Sequence, residues 1–497
     1  MWSVSQTFAE KIGLHVRKSV MSVAAAVSVA VGTVVIPVAS AAPGSSVNGP
    51  QEGAPLGGSS VTRDAAGFFG NTIDVSGLNP GDIIDVRHLP YHAFGFSLPL
   101  DVVQIKYRTT DAQGRATYGV TSVVKPPVPQ NDRVVSFHSV YDSLNPEHSP
   151  SRAIQGDVAF GTLVDSGETA AVAGFLAQGT TVVITDIEGQ NANFAAGPEY
   201  GTTTLDALRA ATAEPSTGIA PDAKIGLMGY SGGAIATNWA AQLAPSYAPE
   251  INDRLVGAAT GGLLVDPLHN LEYIDGSRSW AGVMAMTIIG LTRAYGVDPE
   301  PYMSDYGRDL FHRMNRTSIG EVEGMYGGMT WASLVKPEYR DPRSVPEIVD
   351  VLNKVNLGQA PDPTVPFYFG QALGGEIDGT PDGGPNIGGG DGVMVAGDNR
   401  TLARKYCEAG VPVKYDEYPV LPHTPAFAVW FPAATIWLNA RFEGRPAPST
   451  CDAIPEGNDL SPETTVPQAP ADGPQAQPQG SAGFRWGLTG SSNGALG

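Results

Sequence analysis

The pentapeptide GYSGG at residues 229–233 matches G-x-S-x-G, a pattern in which a strained turn presents a serine hydroxyl for nucleophilic attack. An apolar run at 224–230 leads directly into the turn, and a helix pattern at 235–243 follows it. Glycines suit this turn because side chains beside the serine would collide with the neighbouring strand and helix. The turn also aims the backbone N–H of Gly232 at a developing oxyanion. We therefore predict Ser231 as a nucleophile and Gly232 as an oxyanion-hole donor.

A serine hydroxyl becomes a good nucleophile only when a base accepts its proton. The chain has eight histidines, of which His269, His312 and His423 follow Ser231. In folds that contain this turn, the acid and then the histidine follow the serine along the chain. His423 stands between the last strand pattern and the last helix pattern, whereas the other two lie in a helical insertion. The sequence therefore predicts His423 as the base.

The acid that orients this histidine should follow the strand pattern at 364–369. Three aspartates of a glycine-rich loop compete for the role, Asp378, Asp382 and Asp391, and the residues alone leave the choice open. Aspartates among glycines would also suit calcium, which prefers oxygen ligands. The loop lacks the ligand spacing of an EF-hand, so we expect neither a metal nor a cofactor.

Strand and helix patterns alternate along the chain, which predicts an α/β fold with a mostly parallel sheet wrapped by helices. An antiparallel pair, joined by the turn DAQG at 111–114, precedes the alternation. The predicted strands are 102–107, 117–125, 133–140, 179–186, 224–230, 255–259, 364–369 and 411–418. The predicted helices are 168–178, 204–213, 235–243, 399–407 and 426–442.

One stretch, about 264–357, interrupts this alternation. It is helical in pattern and rich in methionine and aromatic residues, and its segment 280–291 is almost entirely apolar. We interpret it as a cap in which Trp280, Met284 and Ile288 bind an acyl chain. The alternative is an ordinary core helix, because methionine and aromatic residues are common core components.

The two ends of the chain have compositions that do not suit a packed core. Three basic residues precede an apolar run at 20–36, and Ala-Ser-Ala at 39–41 follows, so residues 1–41 are predicted to be a cleaved signal peptide. The alternative is an uncleaved membrane anchor. Residues 42–64 are predicted to be flexible, and the segment 454–497, rich in proline, glycine and glutamine, is predicted to be a disordered tail. The folded domain is then 65–453.

Charge and cysteine content restrict the partners and the compartment. The 497 residues include 30 basic and 50 acidic side chains, a formal charge of −20, which argues against a nucleic-acid partner. No second apolar run is long enough to span a bilayer, so we expect no transmembrane segment after signal cleavage, and a secreted, extracellular protein. Export exposes Cys407 and Cys451, the two cysteines, to an oxidising environment, and we predict a disulfide between them.

The ordered set of motifs resembles the secretory lipase family of fungi and actinobacteria, which includes the Candida lipase A type. The resemblance covers roughly 75–451. In chain order its landmarks are PGD at 80–82, YRTTD at 107–111, VVITDIEG at 182–189, LDALRA at 205–210, GYSGG at 229–233, GG at 261–262, DG at 275–276, DGVMV at 391–395, YC at 406–407, His423, WL at 437–438, RF at 441–442 and Cys451.

This resemblance implies an α/β-hydrolase fold with a helical cap, and it implies Asp391 as the acid because an aspartate precedes the helix that ends in Tyr-Cys. Asp378 is the alternative, since residues 371–390 resemble an insertion. The family pattern also places an oxyanion-hole residue after the strand 133–140, a position that Asp142 matches. A family cysteine just beyond this position is missing here.

The residues and the resemblance together predict a secreted serine ester hydrolase. The expected substrate is a lipid or another ester, with a triacylglycerol at a lipid–water interface as the first choice. An acyltransferase or a peptidase on the same scaffold is the alternative, because the Ser-Asp-His triad does not select the acyl acceptor. A non-catalytic exported binding protein is a further alternative.

Overall fold

Nine strands form one mixed sheet in the order β1-β2-β3-β5-β4-β6-β7-β8-β9 in a computed structural model that describes residues 67–70 and 73–478. The strands are β1 (Ile83–Ala93), β2 (Phe96–Thr110), β3 (Ala116–Val124), β4 (Arg133–His138), β5 (Thr181–Thr185), β6 (Lys224–Tyr230), β7 (Leu255–Gly261), β8 (Phe367–Ala372) and β9 (Val413–Tyr418). The pairs β1–β2, β2–β3 and β3–β5 are antiparallel, and the pairs from β5 through β4 to β9 are parallel.

Thirteen α-helices connect and cover these strands in the described part of the chain. They are α1 (Pro150–Gln155), α2 (Leu163–Leu176), α3 (Gly197–Ala213), α4 (Gly232–Tyr247), α5 (Pro249–Asn252), α6 (Pro267–Ile274), α7 (Ala281–Tyr295), α8 (Asp305–Met314), α9 (Ile319–Val322), α10 (Trp331–Leu334), α11 (Pro346–Lys354), α12 (Ala396–Glu408) and α13 (His423–Phe442).

The parallel strands are apolar on both faces because helices cover both faces. Along β4, Val134 belongs to the apolar cluster under α3, α4 and α12, whereas Val135 belongs to the cluster under α2 and α13. This arrangement explains why the strand patterns were continuous apolar runs. The mostly parallel sheet with helices on both faces confirms the predicted α/β-hydrolase class.

The predicted cap lies between β7 and β8 and contains the helices α6 to α11. Its apolar residues, chiefly those of α7, form a cluster distinct from the two that cover the sheet, and Met284, Leu310 and Leu352 belong to it. Loop residues outside the cap, such as Leu144 and Phe194, join the same cluster, so the cap packs against the loops of the sheet domain.

Two details differ from the predictions. The strand β1 was not predicted, because it lies at the sheet edge and has mostly half-exposed or exposed side chains without an apolar run. The prediction of disorder from residue 454 is wrong for 454–478, which lie along the domain: Ile454 and Leu460 are buried, and Glu463 pairs with Arg343 at 2.9 Å. A proline-rich segment forms no regular helix, but its apolar side chains Ile454 and Leu460 still pack into the cluster under α3, α4 and α12.

The other predicted end segments lie outside the described residues, namely the signal peptide 1–41, the flexible segment 42–64 and the tail beyond residue 478. Among the helices of 67–70 and 73–478, none is both long and apolar enough to cross a membrane.

The disulfide between Cys407 and Cys451 is present, with a Cα–Cα distance of 5.8 Å, as predicted. It joins the end of α12 to the chain that follows α13. Because α13 begins at His423, the closed loop contains the predicted base.

Candidate active site

Ser231 occupies a strained turn between β6 and α4, with φ of 52° and ψ of −122°. Its backbone N–H donates to the carbonyl of Gly261 at 2.9 Å, which anchors the turn to β7. The flanking glycines leave no room for side chains: a Cβ at Gly229 would lie 2.2 Å from the carbonyl oxygen of Gly233, and a Cβ at Gly233 would lie 2.1 Å from that of His138. This local fold is possible because β6 ends at Tyr230 and α4 begins at Gly232, with glycines at the positions where the strand and the helix come closest.

His423 is the first residue of α13, which follows β9 at the same edge of the sheet as Ser231. The Ser231 hydroxyl donates to Nε2 of His423 at 2.8 Å. The Tyr230 hydroxyl donates to the main-chain carbonyl of His423 at 2.6 Å and so ties the histidine to the strand before the serine. A glycine is required beside the ring, because a Cβ at Gly262 would lie 2.6 Å from Cε1 of His423.

Asp391 is fully buried and contacts His423 twice. Nδ1 of the ring donates to Oδ2 of Asp391 at 2.8 Å, and the backbone N–H of His423 donates to the Asp391 carbonyl at 2.8 Å. The second carboxylate oxygen, Oδ1, accepts from the backbone N–H groups of Val393 and Met394 at 3.1 and 2.7 Å. These bonds hold the carboxylate in one orientation.

The other two aspartates of the loop make different contacts. Asp378 accepts a hydrogen bond from Nε1 of Trp280 at 3.3 Å, and Asp382 is exposed and accepts from the backbone N–H of Gly384 at 2.8 Å. Asp391 is therefore the member of the three that is hydrogen-bonded to His423.

The contacts with Asp391 stabilise the protonated form of His423 although the ring is buried. Burial lowers the pKa of His423, but the charge and hydrogen bond of Asp391 raise it, and the resulting pKa lies above the ordinary histidine value. This effect assists the imidazole in accepting a proton from the serine, since the resulting cation is stabilised.

Asp142 lies in the loop after β4, directly against Gly232. A Cβ on Gly232 would lie 1.7 Å from Oδ1 of Asp142. Asp142 has a positive φ of 30°, and its carbonyl accepts from the backbone N–H of Ile319, the first residue of α9. Burial raises the pKa of Asp142 to about 7. The Gly232 N–H lies in the first turn of α4, where helix N–H groups lack intrahelical acceptors and are available to an anion.

The three predicted acyl-site residues are all buried in the apolar cluster that contains α7. Trp280 also packs edge-on against the ring of His423, with ring centroids 5.5 Å apart. Ile288 lines a small apolar cavity in this cluster, together with Met303 and Trp331.

Sequence reasoning missed two supports of this site. The Glu188 carboxylate accepts from the backbone N–H of Ser143 at 3.1 and 3.2 Å and so holds the residue that follows Asp142. In the sequence, Glu188 stands out only as part of the motif VVITDIEG at 182–189. The role of Tyr230 was also missed, because x in G-x-S-x-G carries no residue preference.

One group of side chains in the described residues has the composition of a metal site: Asp266, His269 and Glu463. Nδ1 of His269 bonds to Asp398 at 2.9 Å, and although burial lowers the pKa of His269, these carboxylates raise it to about 9. Arg343 also pairs with Glu463 at 2.9 Å, so cationic side chains already lie against the carboxylates of this cluster. Within the described range, no such group includes the loop aspartates that suggested calcium.

Comparison with known proteins gives consistent relatives. The family model for secretory lipase matches residues 154–340. Lipase A of Arthroderma benhamiae is 31% identical over 387 residues, which cover 73% of this chain and 76% of the relative. Lipase 1 of Candida albicans is 29% identical, covering 75% of this chain and 79% of the relative. The crystal structure of Candida antarctica lipase A in its closed state superposes with a TM-score of 0.68 at 25% identity, covering 80% of this chain and 90% of that one.

Proposed function

This chain belongs to the secretory lipase family, and from that premise we propose that it is an exported triacylglycerol lipase that forms an acyl-enzyme on Ser231. Membership makes it a carboxylic ester hydrolase. The observation that carries the proposed mechanism is the continuous hydrogen-bond chain from Ser231 through His423 to Asp391, with both bonds at 2.8 Å.

In the first half-reaction, the Ser231 oxygen attacks the ester carbonyl carbon while its proton moves to Nε2 of His423. Asp391 holds the ring in the tautomer that leaves Nε2 free to accept, and its charge stabilises the imidazolium. His423 then donates the same proton to the leaving alkoxide oxygen, the C–O bond breaks, and the acyl group stays on Ser231.

In the second half-reaction, water replaces the alcohol. His423 accepts a proton from water, the resulting hydroxide attacks the acyl carbonyl, and His423 returns the proton to the Ser231 oxygen as the carboxylic acid leaves. Both half-reactions pass through a tetrahedral oxyanion, which we assign to the N–H of Gly232 with Asp142 beside it. Losing one donor of this kind lowers kcat by about 10²–10³-fold.

Exposed apolar side chains on segments near this site support the proposal that the enzyme acts at a lipid–water interface. The tip of the β1–β2 hairpin, residues 93–100, contains no charged residue, and Phe96 is 75% exposed. Val158 touches this tip at Gly95, and Phe160 contacts Gly320 of α9, the helix whose first N–H binds Asp142. Val420, three residues before His423 in the chain, is 72% exposed.

Patches of this kind commonly mark interaction surfaces. The formal charge of −20 disfavours an anionic bilayer as the partner, so a neutral lipid phase fits best. We propose that Trp280, which packs on His423, forms one wall of the acyl site.

The decisive experiment labels the mature protein with a fluorophosphonate, which reacts with an activated serine, and compares it with Ser231→Ala. We expect one label per wild-type chain, none on the variant, and hydrolysis of emulsified triacylglycerol by the wild type alone. Wild-type hydrolysis rates in the variant would refute the mechanism. Labelling without turnover of any ester would favour an acyltransferase or a binding protein.

A further inference from the structure

The loop Asp142–Leu144, which carries the proposed oxyanion residue, has a backbone that needs outside support. Asp142 has φ of 30°, a region that residues other than glycine seldom adopt. A strained residue persists only when its surroundings over-determine it. Glu188 binds the Ser143 N–H, and the carbonyl of Thr317 accepts from the Leu144 N–H at 2.8 Å.

The side chain of Ser143 offers a third support, and the shortest of its hydrogen bonds joins it to a histidine. The Ser143 hydroxyl is fully buried and lies 2.8 Å from Nδ1 of His148. Nε2 of the same ring lies 3.1 Å from the side-chain nitrogen of Asn145. His148 therefore connects two residues of the turn that follows Asp142.

The proton positions in this network follow from its neighbours. Oδ1 of Asn145 accepts from the backbone N–H of Glu147 at 3.1 Å and from Nη2 of Arg316 at 2.7 Å, so the amide nitrogen must face His148. Because that nitrogen only donates, Nε2 of His148 must accept, and Nδ1 must carry the proton that is donated to Ser143. The Ser143 oxygen also accepts from the Asn145 N–H at 3.0 Å.

The loop that contains Gly161 packs against the ring of His148. A Cβ at Gly161 would lie 2.2 Å from Nδ1 of His148, so the loop before α2 closes on the ring. Burial lowers the pKa of His148, as does Arg316, whereas Glu321 and Glu147 raise it; the net pKa is below the ordinary histidine value. This direction agrees with the neutral ring that the hydrogen bonds require.

We propose that His148 is a positioning residue for ester hydrolysis, which holds the oxyanion loop in place by donating from Nδ1 to Ser143 and accepting at Nε2 from Asn145. The inference rests on the proposed function. Its chemical consequence is specific: loss of the brace weakens stabilisation of the tetrahedral oxyanion more than binding of the ester.

The test compares His148→Phe, which removes both hydrogen bonds, with His148→Gln, whose amide supplies one donor and one acceptor. The readouts are kcat and KM on a water-soluble short-chain ester, and inhibition by a trifluoromethyl ketone of the same chain, whose adduct on serine is an oxyanion. We expect His148→Phe to lower kcat and raise the inhibition constant by about tenfold each, with KM within about twofold, because transition-state stabilisation alone is weakened. His148→Gln should stay within about threefold of wild type.

Gly161→Ala displaces the same ring without removing it, so kcat and the inhibition constant should change in the same directions by smaller factors. This variant keeps the inference testable if His148→Phe does not fold. The matched control is His92→Phe, which removes a half-buried histidine bonded to the carbonyl of Ile154 at 3.0 Å, and it should leave kcat unchanged. Equal changes in KM and kcat, or wild-type inhibition in both His148→Phe and Gly161→Ala, would overturn the inference. Activity of Ser231→Ala would instead refute the proposed function.

Discussion

Asn substitution of Asp391 is the most informative single change, because the structure dictates how the new amide must orient. Oδ1 accepts from the N–H groups of Val393 and Met394 at 3.1 and 2.7 Å, so the amide oxygen of Asp391→Asn will take that place. The amide nitrogen then faces Nδ1 of His423, which must become an acceptor. The ring proton moves to Nε2, where it faces Ser231, and the histidine can no longer accept the serine proton.

The expected loss is about 10⁴-fold in kcat, the size found when the triad acid is changed in this way. It corresponds to about 5.4 kcal/mol of transition-state stabilisation. The pH profile provides a second readout. In the proposed mechanism, activity requires neutral His423 and is lost as the pH falls through its pKa, which Asp391 raises. Removing that charge should shift the acid limb of the residual activity to lower pH.

The matched control is Asp378→Asn, because an amide oxygen can still accept from Trp280. We expect its kcat within about threefold of wild type on a soluble ester, since no triad bond changes. Circular dichroism of both variants would verify folding. A small effect at Asp391 together with a 10⁴-fold loss at Asp378 would refute the assignment of the acid.

Three further predictions concern stability and interface binding. A maleimide should label no thiol in the denatured, non-reduced mature protein. Replacing Cys407 and Cys451 by serine should lower the free energy of unfolding by up to about 4 kcal/mol, because the disulfide joins residues 44 positions apart. Burial raises the pKa of Glu168 to about 8, so the folded state binds more protons than the unfolded state. The free energy of unfolding should therefore fall as the pH rises from about 5 to about 8. Glu168→Gln should reduce this pH dependence in denaturant titrations. Phe96→Ser should lower activity on emulsified triacylglycerol about fivefold but spare soluble esters, whereas Ile436→Ser, at a side chain 65% exposed on α13, should change neither; equal effects of the two would contradict the proposed surface.

The strands, the helices and the nucleophile turn could be predicted because their signals are local. A buried parallel strand needs a continuous apolar run, and the turn at Ser231 needs small neighbours, so each leaves a pattern within a few residues. The edge strand β1 escaped prediction because edge residues alternate less strictly between buried and exposed. The segment 454–478 escaped because its composition resembles disorder, while its order depends on partners such as Arg343, which lies over 100 residues earlier in the chain.

The sequence by itself predicted the class of chemistry from a serine in a glycine-flanked turn and a histidine after the last strand, and it predicted the disulfide from its two cysteines. Which aspartate is hydrogen-bonded to His423 was decided by tertiary structure, since Asp391 and His423 meet only when the chain after β8 folds back on the start of α13. The same holds for Met284 and Ile288, because an almost wholly apolar helix has no side that marks a substrate, and packing alone buried them in the cap. The bracing of Asp142 by His148 likewise depends on angles and distances between loops, which residue types do not encode locally.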